Sequence, residues 1–106
     1  MKEQAIVGQI LEYCGRASIP AVHVRNTGGI YRDSRGEVKF GRSRYSQKGA
    51  PDILLCHRGI AFGFEVKSME GVKSAEQYEW QTKWEKQGGR YFIVRSLDDF
   101  LKCLSA

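Results

Sequence analysis

A chain of 106 residues has room for one modest hydrophobic core, so residues 1–106 are predicted to form a single domain. Seventeen Lys and Arg residues against twelve Asp and Glu give a formal charge of +5, which favours a nucleic-acid partner but also occurs on ordinary soluble domains. No apolar run approaches the length of a membrane span or signal sequence, which argues against export or membrane insertion and indicates a cytoplasmic protein.

The first half of the chain is predicted to contain a helix, a strand and a basic loop. Apolar residues recur at three- and four-residue steps over 3–15, the pattern of an amphipathic helix. Alternation over 21–26 predicts a strand that ends at a glycine pair. Residues 31–48 are rich in Arg, Lys, Gly and Ser, with a short strand-like stretch around Val38 and Phe40. We therefore expect a basic, partly mobile loop there.

The second half begins with two apolar runs, 53–56 and 60–67, whose short polar connection predicts an antiparallel hairpin. Ser74, with Gln77 at the capping-box position, predicts the start of a second helix that ends before a glycine pair. An apolar strand over 91–95 follows. A last helix is then expected, and the element order becomes αβββαβα.

Three cysteines, Cys14, Cys56 and Cys103, are far apart and odd in number. This pattern predicts reduced, buried thiols rather than a disulfide framework. A structural zinc site is disfavoured, because Cys56 and His57 are neighbours that point to opposite faces of a strand.

Acidic and basic side chains meet in the predicted hairpin. In the strand 60–67 the two-residue period places Glu65 and Lys67 on the same face. Asp52 opens the paired strand directly after a turn proline, which brings its carboxylate toward the same sheet edge. Two carboxylates and a lysine suit Mg²⁺ or Mn²⁺ and phosphodiester chemistry. The alternative is a surface ion pair between Glu65 and Lys67, with Asp52 merely following the turn.

Two further polar residues point toward this site. Glu3 lies in the middle of the apolar stripe of the first helix, where a carboxylate needs a partner, although fraying or a contact with the helix dipole is an alternative. Gln77 shares a helix face with Trp80, Gln81 and Trp84, which suggests amides that face the sheet. Here the alternative is that Gln77 completes the Ser74 capping box.

Taken together, these motifs resemble the VRR-NUC (virus-type replication-repair nuclease) branch of the PD-(D/E)XK nucleases, over nearly the whole chain. The segments that carry the resemblance are Arg25-Asn26-Thr27-Gly28, Gly49-Ala50-Pro51-Asp52, Glu65-Val66-Lys67 and Gln77-Tyr78-Glu79-Trp80 followed by Gly88-Gly89. Gln81-Thr82-Lys83-Trp84 also fits the Gln-x-x-Trp element, so Gln77 and Gln81 are both candidates and Gln77 is preferred. The family's helical glutamate corresponds to Glu3.

The resemblance implies a PD-(D/E)XK core with a mixed four-stranded sheet flanked by helices, and metal-dependent cleavage of DNA. In that reading Asp52, Glu65 and the Val66 carbonyl bind Mg²⁺ or Mn²⁺, and Lys67 orients the attacking water and stabilises charge on the phosphate. Glu3 would bind or orient a second metal, and Gln77 would hold Lys67 or a bridging water.

The resemblance also implies a virus-encoded homodimer of the kind that acts on branched DNA in repair and recombination, and a viral protein of this kind would be expected in the host cytoplasm. Basic residues in and around the 31–48 loop are expected to contact the DNA backbone: Arg25, Arg32, Arg35, Arg42, Arg44 and Lys48. The alternative is that this stretch is simply a solvated basic loop. A restriction-type sequence-specific nuclease and a non-catalytic nucleic-acid-binding module are the alternatives.

Overall fold

The computed structural model describes residues 2–24, 29–41 and 48–106. The helices and strands within these ranges follow one another along the chain as α1 (Glu3–Arg16), β1 (Ala21–His23), β2 (Gly29–Arg32), β3 (Val38–Gly41), β4 (Ile53–His57), β5 (Ile60–Val66), α2 (Ala75–Lys86), β6 (Arg90–Val94) and α3 (Leu97–Ser105).

Four strands form the main sheet, in the spatial order β1-β4-β5-β6. β1 pairs with β4 and β4 with β5 in antiparallel fashion, whereas β6 pairs with β5 in parallel. Arg58 and Gly59 join β4 to β5 with φ angles of 54° and 77°, and two positive φ angles are what a tight hairpin turn requires. The predicted mixed four-stranded sheet and its central hairpin are thus confirmed at the level of the α/β architecture.

A second, two-stranded sheet overlaps the stretch 31–48, for which the sequence predicted a basic loop with a strand-like piece around Val38 and Phe40. β2 and β3 pair in antiparallel fashion, so the predicted order αβββαβα lacks this hairpin. Local side-chain hydrogen bonds explain the turn between β2 and β3. The Asp33 carboxylate accepts hydrogen bonds from the backbone N–H groups of Arg35 and Glu37, at 2.9 and 3.0 Å. The Arg32 guanidinium also donates to the Gly36 carbonyl at 3.0 Å. Such short polar contacts fix a turn without a hydrophobic signal in the sequence.

The core lies between the main sheet and the pair α1 and α3. Phe62, Phe64 and Val66 project from β5 toward these helices, as the two-residue period predicts, and each is at most 1% exposed. The Phe64 ring meets the Phe100 ring of α3 edge to face at 4.7 Å. Burying each of these aromatic side chains contributes roughly 1.5–3 kcal/mol. The opposite face of the sheet, which carries Gly63 and Glu65, is covered by α2 through Trp80.

The three cysteines are free thiols, but the expectation that all are buried is wrong. Cys14 is buried in the core, Cys103 is half-buried and Cys56 is exposed. Cys56 lies next to the last residue of β4, close to the hairpin turn. Across the described ranges, no helix combines the length and apolar character needed to cross a bilayer.

Candidate metal centre

Two carboxylates meet where β4 begins and β5 ends. Ile53 of β4 pairs with Phe64 of β5, so Asp52 lies beside the end of β5, next to Glu65. The Asp52 carboxylate accepts a hydrogen bond from the Val66 backbone N–H at 2.7 Å, which fixes its position against the strand. The Asp52 carbonyl in turn accepts from the Val24 N–H at 2.7 Å. Asp52 is therefore held on both sides by the sheet.

Glu65 is the one buried charged side chain within the described ranges, at 6% exposed. Burial first, then the charge of Asp52 and a hydrogen bond with its carboxyl group, raise the pKa of Glu65 to about 8, against the opposing effect of Lys67. The charge of Glu3 adds a smaller upward effect on the pKa of Glu65. Ionisation of both carboxyl groups is therefore disfavoured near neutral pH, and a further positive charge nearby would favour it.

Lys67 supplies the only ammonium group close to Glu65 among the described residues, with its Nζ 3.8 Å from a Glu65 oxygen. Both side chains are largely buried, which distinguishes this pair from the surface ion pair considered from the sequence. Gly71 allows the chain to return closely over Lys67, since a Cβ at Gly71 would lie 3.1 Å from the Lys67 Cβ and Cδ. Arg95 holds this return turn by donating to the Ser68 and Gly71 carbonyls.

Gly49 shows why the turn before Asp52 has its particular sequence. Its φ angle is 83°, in the region that favours glycine, and a Cβ there would lie 2.1 Å from the Glu76 carbonyl oxygen in α2. Pro51 is buried and packs against Gly63, where a Cβ would lie 3.0 Å from the Pro51 Cγ. The turn is thus packed closely between α2 and β5, and it places Asp52 next to Glu65.

The expectation that Glu3 lies inward on α1 is wrong. Glu3 is exposed, and the buried residues of α1 begin one turn later with Ile6 and Val7. Glu3 belongs to the first turn of the helix, where a carboxylate is stabilised by the helix dipole and water without a buried partner. Its charge nevertheless acts on Glu65, so it lies within electrostatic range of the carboxylate pair.

Gln77 completes the capping box of α2, the alternative considered from the sequence. Its Oε1 accepts from the Ser74 N–H at 2.9 Å, and its own N–H donates to the Ser74 hydroxyl at 3.2 Å. Gln81 donates to Glu85 at 3.2 Å along the same helix. The Gln77 side-chain oxygen is thus engaged at the helix start. A contact between Gln77 and Lys67 stays a prediction.

Tyr91 belongs to this site, although the sequence pattern presented its strand as simple core. Tyr91 pairs with Gly63 across β5 and β6, on the face that carries Glu65, and is 5% exposed. Burial first, then the charges of Glu65 and Asp52, raise the pKa of its phenol. The available signal was a polar-tipped aromatic residue in an otherwise apolar strand. The parallel pairing that places it beside Glu65 is a tertiary feature.

Beside the site, α2 presents a groove of about 480 Å³. Its lining includes the stacked rings of Trp80 and Trp84, 4.7 Å apart, together with Lys48 and the acidic residues Glu76 and Glu79. Of the other basic residues expected to contact DNA, Arg32 and Arg35 lie at the β2–β3 turn. Arg25, Arg42 and Arg44 lie outside the described residues.

The donor set fits a hard divalent cation. The described residues contain no cluster of three or more His, Cys, Asp or Glu side chains placed to hold a metal. The pair of Asp52 and Glu65 offers oxygen donors only, and Mg²⁺ is commonly bound by one or two carboxylates with water and substrate phosphate completing its shell. Burial and the mutual repulsion of the two carboxylates raise the pKa of Glu65 to about 8. Binding of such a cation is favoured at this site.

No protein-family model matches this sequence, and no curated protein is significantly similar to it. The assignment of function therefore depends on the site itself.

Proposed function

We propose that this protein is a divalent-metal-dependent DNA endonuclease that hydrolyses phosphodiester bonds. The observation that carries the proposal is the buried carboxylate pair of Asp52 and Glu65 with the Lys67 ammonium beside it. A structural ion pair needs one carboxylate for one ammonium. Ionisation of the second carboxyl group would leave an excess of negative charge in a largely buried place, and a catalytic cation would neutralise it.

Asp52 and Glu65 would hold Mg²⁺ or Mn²⁺, with the Val66 carbonyl as a third ligand. When bound, the cation would polarise the phosphodiester and acidify water. Asp52 is held for this role by the Val66 N–H, which donates to one of its carboxylate oxygens. Glu65 contributes its charge only after losing its proton, so metal binding and deprotonation of Glu65 are coupled.

Lys67 would stabilise the negative charge that develops on phosphate and orient the attacking water. Its ammonium stays close to Glu65, and the turn held by Arg95 covers its stem, so its reach is restricted. Such preorganised charge acts strongly where water is excluded. Glu3 would tune the site through its charge, either directly on a second cation or through water.

DNA is the proposed substrate because the chain carries a charge of +5 and the donor set suits phosphate chemistry. The resemblance to VRR-NUC nucleases gives branched DNA, such as four-way junctions or flaps, as the favoured form. It also gives a homodimer, which is reasonable for a 12.0 kDa chain that cuts one strand per site. A mass of twice that value in light scattering would support the dimer.

Cleavage of labelled DNA tests the proposal. A four-way junction and a linear duplex of the same composition are incubated with wild type, Lys67→Ala and Lys102→Ala, with Mn²⁺, with Mg²⁺ or with chelator. Lys102 is exposed on α3, so Lys102→Ala is the matched control that also removes one positive charge. We expect metal-dependent cleavage by wild type and Lys102→Ala, with Lys67→Ala slower by about 10²–10³-fold.

Absence of cleavage by the wild type in either metal would refute the enzyme assignment. If DNA were bound but not cut, the protein would be a nucleic-acid-binding module. Equal rates for Lys67→Ala and wild type would remove Lys67 from the mechanism.

A further inference from the structure

The Tyr91 hydroxyl is a buried polar group for which the surrounding described residues supply no hydrogen bond. Its oxygen is inaccessible to solvent and has no hydrogen-bond partner among the described residues. A buried hydroxyl left unpaired destabilises a protein, and folded proteins rarely keep one. Phenylalanine has nearly the same shape and would avoid this penalty. The hydroxyl is therefore expected to have a partner in the functional state.

The Tyr91 ring is fixed in place from several sides. The Lys73 ammonium lies 4.7 Å from its centroid and the Trp80 ring 6.2 Å away. Tyr91 pairs with Gly63, and Glu65 is the next residue of β5 on that same face. Because Gly63 has no side chain, nothing projects from β5 between the phenol and Glu65. The charges of Glu65 and Asp52 both act on the phenol, so the buried ring lies within electrostatic range of the carboxylate pair.

We propose that Tyr91 is a positioning residue whose hydroxyl donates a hydrogen bond, through at most one water molecule, to the ionised Glu65 carboxylate of the metal-loaded site. This inference rests on the proposed function. Tyr91 and Glu65 lie on the same face of the sheet, two positions apart in the β5–β6 register, and the phenol oxygen has no partner among the described residues. If Glu65 held a cation through one carboxylate oxygen, its other oxygen would remain an acceptor, and the Tyr91 hydroxyl is a donor on that face.

The phenol is suited to donate rather than accept. Burial and the charges of Glu65 and Asp52 raise the pKa of Tyr91, so it keeps its proton throughout the physiological range. Donors that hold a metal-ligating carboxylate typically change metal affinity or activity by about 10–100-fold when they are removed. Tyr91 therefore acts through Glu65, without touching the substrate.

Tyr91→Phe separates this role from a structural one, with Tyr78→Phe as the matched control. Tyr78 is 59% exposed and its ring also lies under Lys73, with the ammonium 4.2 Å from the centroid. Three quantities are measured for both variants and wild type: the Mn²⁺ dissociation constant by calorimetry without DNA, the Tm of the metal-free protein, and the cleavage rate. The first two do not depend on catalysis.

We expect Tyr91→Phe to bind Mn²⁺ at least about tenfold more weakly and to cleave correspondingly more slowly. Its metal-free Tm should equal or exceed that of wild type, by up to about 4–8 °C, because an unpaired buried hydroxyl is gone. Tyr78→Phe should match wild type in all three measurements.

An unchanged Mn²⁺ affinity in Tyr91→Phe, with an active wild type, would overturn the role of Tyr91 and leave the nuclease proposal intact. A marked fall in the metal-free Tm would also overturn it, because the hydroxyl would then be a structural hydrogen-bonding group. A wild type that neither binds Mn²⁺ nor cleaves DNA would refute the proposed function, and the role of Tyr91 with it.

Discussion

In the absence of metal, Glu65 lowers the free energy of unfolding above about pH 4.5. Its pKa is about 8 in the folded protein, whereas a carboxyl group in water has a pKa near 4.5. Between these two pH values the folded protein keeps a proton that the unfolded chain releases. The folded state then binds more protons than the unfolded state, so the free energy of unfolding falls as pH rises. This is the opposite of the usual behaviour of a carboxylate in a salt bridge.

Glu65→Gln tests this linkage. The amide fits the same place but does not titrate, so the variant should become more stable than wild type as pH rises from about 5 to 8. The difference should grow by at most about 1.4 kcal/mol for each pH unit. Urea denaturation of metal-free protein at several pH values measures it. Parallel stability curves for the two proteins would contradict the buried, protonated Glu65.

Adding Mn²⁺ to wild type should reverse part of this effect. A ligand present at 100 times its dissociation constant stabilises the folded state by about 2.7 kcal/mol, and chelator should remove that gain. Glu65→Gln lacks one ligand, so its Tm should respond little to Mn²⁺.

At the scale of elements, the turn from Gly49 to Asp52 joins the site to α2. Gly49→Ala combines a strained φ angle with a Cβ that would lie 2.1 Å from the Glu76 carbonyl oxygen, so the turn or the helix start must shift. We expect a loss of about 2–4 kcal/mol in unfolding free energy, together with reduced cleavage because Asp52 moves. Chemical denaturation and the DNA assay measure the two effects.

Gly36→Ala is the matched control, since Gly36 has a φ angle of 84° and open space around the position of a Cβ. It carries the backbone strain without the clash, and about 1 kcal/mol is expected. Equal losses of stability in the two variants would mean that the close approach to α2 contributes nothing.

The capping box at the start of α2 allows the two roles of Gln77 to be separated. Glu is as good a partner as Gln at this position, so Gln77→Glu should keep the Tm of wild type, whereas Gln77→Ala should lose about 0.5–2 kcal/mol. If Gln77 acts only in the cap, Gln77→Glu also keeps its cleavage rate. A stable but slow Gln77→Glu variant would instead support a contact with Lys67 or a bridging water.

Local patterns in the sequence predict part of this site, and the rest depends on tertiary contacts. Period-two alternation and a turn proline were enough to bring Asp52, Glu65 and Lys67 together, because strand geometry and turn chemistry are local. The position of Glu3 was wrong because a helical wheel gives direction but not the point where the helix meets the sheet. Tyr91 was missed because its neighbours come from a parallel strand and from α2. The strand-like stretch around Val38 and Phe40 corresponds to β3, but β2 and the pairing were missed because the turn between the strands is set by polar contacts of Asp33.

For the whole molecule, the positive charge should determine how DNA is held. Replacing Arg32, Arg35 and Lys48 together by Ala should flatten the dependence of log K on log salt by about 0.9 for each phosphate that is no longer neutralised. The control removes three exposed positive charges elsewhere, at Arg16, Lys86 and Lys102. Fluorescence anisotropy with a labelled junction, in Ca²⁺ to prevent cleavage, gives the slopes. If the first variant kept the slope of wild type, these residues would not bind the DNA backbone.

Anomalous diffraction from crystals soaked in Mn²⁺ would show whether Asp52 and Glu65 form a metal centre. We predict an anomalous peak between the two carboxylates, within about 2.0–2.6 Å of an oxygen from each, and its loss in Glu65→Gln. Crystals that show no peak at this end of the sheet at saturating Mn²⁺, or a peak bound only by other residues, would contradict the account.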